Sequence, residues 1–379
     1  MEVGEHVHLF STSACNLNCS YCFGPDTQYK AAPGGLPAIA ETLAANGVKM
    51  VTLGGGEPLL AKDLDTALKI LKEAGIYISL HTNGTLLTDS RISQLSDLVD
   101  DIGLPLDTLD EERQVALRGK KFRQTFRRIF DTADQIREVG MEVGWHTVFT
   151  SQNYREMPKI YRRLEKSGFK YWRVYEFNYD LARARFFRQA KSTGRKSQSN
   201  LIKKWGLIQS LNTYGTPEKG YADCLLAHFL LTEEKMKKQK NPRIQFVYVH
   251  AWEENKKPYM FIEPSGDVSS YSYFSQYERR KIGNLFRDGF EPVKRQMKEV
   301  YEKGPDPDDE TMDEWVETQI VGTPLWQRLI DGAFSSEELE EIKGRRNWEA
   351  FADIAVIQAK REARYLGVSE REAIEMLPF

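Results

Sequence analysis

The stretch HVHLFSTSACNLNCSYCF, residues 6–23, runs a strand-forming segment directly into a loop that carries three cysteines. Its first part, HVHLFSTS (6–13), has the β-branched and aromatic content of a strand. Its second part spaces the thiols as Cys15-x3-Cys19-x2-Cys22. The chain holds four cysteines in all, and the remaining one is Cys224. A disulfide framework needs paired cysteines spread along the sequence, so this grouping points to a metal or redox site in a reducing compartment.

Outward from that loop, short strand-like runs alternate with longer helical patterns. A helix near 36–46 precedes VKMVTL (48–53), and a helix at about 61–74 precedes IYISLHT (76–82). A helix near 88–98 leads into DDIGLPL (100–106); the amphipathic stretch 122–139 precedes EVGWHTVFT (142–150), and 154–167 precedes YWRVYEFN (171–178). Parallel neighbours need a crossover, and helices of this length supply it, so six such units predict a parallel sheet. In such sheets chemistry gathers at the carboxyl ends of the strands. The cysteines follow the first strand, GGGEP (54–58) the second and TNG (82–84) the third.

The 379 residues allow a large α/β domain and an appendage. With 53 basic against 55 acidic residues the formal charge is −2, which gives no global case for a nucleic-acid partner. MEVGEHVHLF has no apolar signal-peptide core, and no apolar run reaches the roughly 18 residues of a spanning helix. A cytoplasmic protein without membrane attachment is expected. The segment 183–204 is basic and Ser/Gln-rich and reads as a connector, with cover for an anionic substrate as the sharper alternative. Beyond it RIQFVYVHAW (243–252), PYMFIEP (258–264) and a Gly266-Asp267 turn suggest hairpin strands, followed by helices near 290–302 and 346–366. KGPDPDDE (303–310) reads as an exposed linker.

Thiolates are preferred ligands for iron–sulfur clusters, and a short irregular loop can wrap three corners of one cubane. Three ligands leave one iron open to bind and activate a small molecule. The alternatives are incidental thiols or a structural zinc ion, which would want a fourth ligand nearby; the closest downstream histidine is His81, and His6 and His8 precede the loop within a strand.

CNLNCSYCF (15–23) resembles the cysteine signature of the radical S-adenosylmethionine (SAM) superfamily, including the aromatic Tyr21. LGGGEPLL (53–60), HTNGTLL (81–87), TVFTSQN (147–153) and WRVYEFN (172–178) are similar to its second-, third-, fifth- and sixth-strand motifs. The likeness covers about residues 6–178. It implies a partial (β/α)6 TIM-like barrel and one [4Fe–4S] cluster on Cys15, Cys19 and Cys22. It also implies reductive cleavage of SAM to a 5′-deoxyadenosyl radical that abstracts a hydrogen atom from a peptide or small-metabolite substrate. An electron donor such as flavodoxin or ferredoxin goes with that activity.

Carried over residue by residue, the resemblance places Gly55, Gly56 and Glu57 at SAM's amino group. Arg118, in ALRG (116–119), resembles the arginine that pairs with SAM's carboxylate; its alternative is a surface arginine in a basic stretch. The fourth strand has Pro105 where relatives carry a ribose-binding hydroxyl, so Thr82, Asn83 or Asp107 is expected to take that contact.

FIEPSGDVSSYSYFSQYERRKIGNL (261–285) resembles a SPASM or twitch extension whose cluster cysteines are replaced by Ser269, Ser270, Tyr271 and Ser272. A degenerate extension without an auxiliary cluster is expected. The division is then 1–182 barrel core, 183–220 connector, 221–303 α+β extension and 304–379 helical region. Since the first strand begins near residue 6, no leader-peptide recognition segment is expected before the barrel. Cys224 is read either as a buried small hydrophobe or as a hydrogen-atom donor to a substrate radical. Glu176 or Tyr175 faces the barrel interior, because successive side chains of a strand point to opposite faces. Two further readings stay open: LDTLDEERQVALRG (106–119) is similar to viperin-type nucleotide dehydratases, with Arg183, Arg185 and Lys191 as triphosphate partners, or the chain is a non-enzymatic metal-binding sensor or scaffold.

Overall fold

The computed structural model describes residues 2–22, 31–150, 152–177, 243–247, 260–270 and 280–303. The connector, Cys224, most of the expected extension and the region 304–379 lie outside these described residues.

Six strands form the expected parallel run: β1 (His6–Thr12), β2 (Met50–Gly55), β3 (Tyr77–His81), β4 (Asp101–Pro105), β5 (Glu142–Phe149) and β6 (Tyr171–Glu176). Each pairs in parallel with its sequence neighbour. The crossovers carry α1 (Gly35–Ala45), α2 (Leu64–Glu73), α3 (Asp89–Leu95), α4 (Glu111–Arg118), α5 (Arg123–Glu138) and α6 (Met157–Ser167). The strand order follows the chain without reversal, as a barrel requires and a doubly wound sheet does not.

The sheet also curls. Strands lie about 4.8 Å apart, so β3 and β6 would be about 14 Å apart in a flat sheet. Yet Arg173 Nη1 on β6 lies 3.3 Å from His81 Nε2 on β3, and the Tyr171 hydroxyl on β6 lies 3.4 Å from the Ser79 hydroxyl on β3. These side chains face one another across a lumen. The opposite face of the sheet, with Leu9, Leu53, Leu80, Leu104, Trp145 and Trp172, is sealed under the helices.

The strands expected as hairpins in a separate extension join this same sheet. β7 (Ile244–Val247) pairs in parallel with β6, and β8 (Met260–Ile262) pairs in parallel with the free side of β1. A hairpin does form at Gly266-Asp267, between β8 and β9 (Asp267–Ser270), and β10 (Arg280–Asn284) completes the order β10-β9-β8-β1-β2-β3-β4-β5-β6-β7. The barrel edge gives a reason: β1 and β6 end the parallel run, and unpaired strand edges gain hydrogen bonds from further strands. α7 (Leu285–Asp288) and α8 (Phe290–Lys303) follow. Among the described residues no helix is long and apolar enough to cross a membrane.

The segment 111–118 carries no strong periodicity, but its ends are written in the sequence. The Asp110 side chain accepts the Arg113 N–H at 2.8 Å, Glu111 and Glu112 occupy the positive first turn, and Arg118 sits in the last turn before Gly119. This short helix places Arg118 beside the cysteine loop.

Candidate functional site

The loop after β1 is fixed from three sides. From β2, the Gly56 N–H donates to the Thr12 carbonyl at 2.7 Å and the Glu57 N–H to the Ala14 carbonyl at 2.8 Å. A Cβ on Gly56 would lie 2.1 Å from the Ala14 oxygen, and one on Gly55, at φ +118°, would lie 2.5 Å from the Thr12 oxygen. Only glycine lets these two backbones meet.

From β3, the side chain of Asn83 donates to the Asn16 side-chain oxygen Oδ1 at 2.9 Å and reaches the Cys15 Sγ at 3.9 Å. Asn16 in turn donates to the Thr85 hydroxyl at 2.8 Å. Glu57 ties the second and third strands together: its fully buried carboxylate accepts the Thr82 hydroxyl at 2.6 Å, the Asn83 N–H at 2.7 Å and the Leu59 N–H at 3.1 Å. Burial raises its pKa, and those three donors oppose the rise.

From α4, the Leu117 carbonyl accepts both the backbone N–H (2.8 Å) and the hydroxyl (3.2 Å) of Ser20. Beside it Tyr21 is buried, and its hydroxyl donates to Asp107 Oδ2 at 2.8 Å. The same oxygen accepts the Gln114 amide at 2.9 Å and the Arg118 Nε–H at 2.7 Å, while Oδ1 accepts the Val148 N–H at 3.0 Å. Arg118 lies 5.3 Å from the Tyr21 ring centre and 5.4 Å from that of Phe122. Burial opposes its charge, but Asp107 prevails and keeps the guanidinium protonated. One of its five N–H groups goes to Asp107.

The three thiols therefore sit on one clamped loop. Cys15 is exposed and Cys19 and Cys22 are half-buried. They act on one another electrostatically, and burial pushes the Cys19 thiol up to about 12, against the pull of Arg118. A bound metal deprotonates a coordinating thiol outright. A structural zinc ion would want a fourth protein ligand beside the three thiols. An all-sulfur donor set on a polar, tightly held loop fits a polynuclear iron–sulfur cluster instead.

Other expected site residues fall as follows. Pro105 ends β4, in register with His146 of β5. Glu176 ends β6. Tyr175 faces the lumen, its ring edge-on to His146 at 5.5 Å. Sequence reasoning passed over Gln114, whose amide oxygen accepts the N–H groups of Asp107 (3.1 Å) and Thr108 (2.9 Å), and Asn153, which donates to the Asp107 carbonyl at 2.8 Å. It also passed over His81, His146 and Arg173 as one lumen group. Their i, i+2 placement on strands was the available signal.

Residues 9–164 match the family model described as the Radical SAM superfamily. The S-adenosylmethionine-dependent nucleotide dehydratase of Lacinutrix mariniflava is 27% identical over 267 residues, 66% of this chain and 47% of that protein. The PqqA peptide cyclase of Bradyrhizobium diazoefficiens is 30% identical over 181 residues, 44% of this chain and 47% of that protein. The chain thus spans about half the length of these curated relatives. Among solved structures, Streptococcus suis SuiB bound to S-adenosylmethionine superposes with a TM-score of 0.52 at 19% identity, over 74% of this chain and 63% of that one. Native anSMEcpe with bound AdoMet gives 0.52 at 18%, over 76% and 79%. At such identities the likeness is one of fold.

Proposed function

We propose that the chain is an enzyme of the radical SAM superfamily, whose model matches residues 9–164, and that Cys15, Cys19 and Cys22 hold one [4Fe–4S] cluster as its sole cluster. Bound there, the cluster would supply an electron for reductive cleavage of SAM, the radical chemistry that would act on a small-molecule or peptide substrate. The observation that carries this reading is the cysteine loop held at once by Gly56, Asn83 and the Tyr21–Asp107–Arg118 group.

The chain's own residues divide the work. Arg118 offers its terminal nitrogens to SAM's carboxylate, because Nε alone is committed to Asp107. Gly55 and Gly56 bring β2 backbone against the cysteine loop, which puts that backbone where it can meet SAM's amino group. Glu57 and Thr82 hold this end in shape through their mutual hydrogen bond. Asp107, with four protein donors on a fully buried carboxylate, positions Arg118 rather than meeting a ribose. Asn83 serves the cysteine loop. The ribose contact is left to a group other than these three.

Two substrate classes stand behind this core. The nucleotide dehydratase match extends over 66% of the chain, beyond the peptide cyclase match, and favours a small molecule. The SPASM-like reading of 261–285 favours a peptide. Anaerobic reconstitution tests the shared core: about four irons per chain and 5′-deoxyadenosine on reduction with SAM are expected. Cys15→Ala, Cys19→Ala or Cys22→Ala should abolish both, and Cys224→Ala should leave the iron in place. About eight irons, or a colourless zinc protein, would overturn the proposal.

A further inference from the structure

TIM-barrel interiors are normally packed by layers of side chains. Here the packing stops halfway up. The lower layer is closed: Asp101, Ser79 and Tyr171 are buried, and the Asp101 carboxylate accepts the Ser79 hydroxyl at 2.6 Å, the Tyr77 hydroxyl at 2.8 Å and the Tyr171 hydroxyl at 3.0 Å. Above it burial alternates strictly. On β1 His8 and Phe10 are partly exposed while Leu9 and Ser11 are buried; on β5 His146 is partly exposed between buried Trp145 and Thr147; on β6 Arg173 and Tyr175 are partly exposed beside buried Trp172 and Val174. The buried set lies under the helices, so the exposure of the other set is to the lumen.

The walls of this opening differ in chemistry. On one side His8, Phe10 and Phe261 stack, with ring centres 4.8 Å apart for His8–Phe261 and 6.1 Å for Phe10–Phe261. On the other side His146, Arg173 and Gln245 form one register row across β5, β6 and β7. The guanidinium of Arg173 is held flat. Its Nε–H donates to Gln245 Oε1 at 3.0 Å, its Nη1 lies 3.3 Å from His81 Nε2, and its Cζ sits 4.2 Å over the Tyr171 ring. A guanidinium preorganised in this way attracts carboxylate and phosphate oxygens.

His146 supplies the second observation. Its ring lies over Gly103, where a Cβ would come within 2.9 Å, and edge-on to His81 at 4.1 Å. Its Nε2 is buried with no hydrogen-bond partner among the described residues. A buried polar atom left unpaired costs about 1–3 kcal/mol, a cost that a ligand atom at this position would recover. Resting on the radical-enzyme reading above, we propose that Arg173 and His146 form the substrate-anchoring site of this barrel, taking an anionic oxygen group, phosphate or carboxylate, of a molecule that enters from the SAM end. Burial and the Arg173 charge hold His81 and His146 well below the ordinary histidine range, so both imidazoles are neutral and the guanidinium provides the attraction.

Isothermal titration calorimetry on reconstituted holoenzyme with SAM, using inorganic phosphate, pyrophosphate and glutarate as probes, tests this. At least one probe should bind, with Arg173→Gln weakening it tenfold or more and His146→Gln several-fold; preference for phosphates or for glutarate identifies the source of the anion. Iron content reports the cluster separately, so iron-loaded protein that binds none of the three overturns the anchoring site alone, whereas protein without iron overturns the radical-enzyme reading. Should Arg173→Gln fail to load iron, Arg173→Lys decides: it keeps charge without the fork, and intermediate affinity is expected. Wild-type affinity in Arg173→Gln or Arg173→Lys overturns the proposal.

Discussion

Asp107 and Arg118 form a buried ion pair, Oδ2 to Nε–H at 2.7 Å, with Asp107 fully enclosed and Arg118 about one-tenth exposed. The pair links β4's end to α4 and, through the Tyr21 hydroxyl on the same carboxylate oxygen, to the cysteine loop. Breaking such a pair from one side leaves a buried charge uncompensated, at a cost of about 3–5 kcal/mol. Asp107→Asn, which keeps shape but not charge, should lower stability to urea by that order. A loss below about 1 kcal/mol would mean that water reaches Arg118 freely.

The first and third glycines of GGGEP, Gly54 and Gly56, should behave oppositely. Gly56→Ala places a methyl 2.1 Å from the Ala14 oxygen, whereas a Cβ on Gly54 meets nothing within 4 Å. Gly56→Ala should therefore lose most reconstituted iron, and Gly54→Ala should keep it. Equal iron in both would show that the β2 backbone does not brace the loop.

Asn83 reaches Cys15 Sγ from the third strand. Hydrogen bonds to ligating sulfur stabilise the reduced, more negative cluster. Asn83→Leu should shift the midpoint potential negative by tens of millivolts, since a net hydrogen bond is worth about 1 kcal/mol and 1.4 kcal/mol corresponds to about 59 mV for one electron. A redox titration followed by EPR reads the shift; an unchanged potential at full iron content would remove Asn83 from the cluster's surroundings.

Acid should destabilise the barrel through its lumen. His8, His81 and His146 are held well below their ordinary 6.5, chiefly by burial and further by neighbouring positive charge. Their folded-state pKa values are depressed, so the unfolded chain binds more protons below about pH 6.5 and stability falls with falling pH there. Each group adds a slope of up to about 1.4 kcal/mol per pH unit. Urea midpoints from pH 7 to pH 5 should fall more gently in His81→Gln than in wild type; parallel slopes would place His81 in water.

The parallel run was legible because each strand–helix unit repeats its own signal, and GGGEP and TNG mark strand ends by glycine chemistry. The helix 111–118 was not, since eight residues give too little periodicity; its Asp110 cap and Glu-Glu start were the readable part. Asp107 showed its type but not its neighbours: four donors converge on it from Tyr21, Gln114, Arg118 and Val148, up to 86 residues away. For the same reason β7 and β8 were visible as strands while their partners were not, because edge pairing is decided by which strand ends are free in space.

The EPR spectrum of the reduced, reconstituted protein, taken before and after SAM is added, reads whether a single three-cysteine cluster keeps one iron open to SAM. A [4Fe–4S] signal whose g-values shift on SAM addition, and which is absent in Cys19→Ala, is expected. A cluster signal that SAM leaves unchanged, or one that survives in Cys19→Ala, would contradict such a cluster.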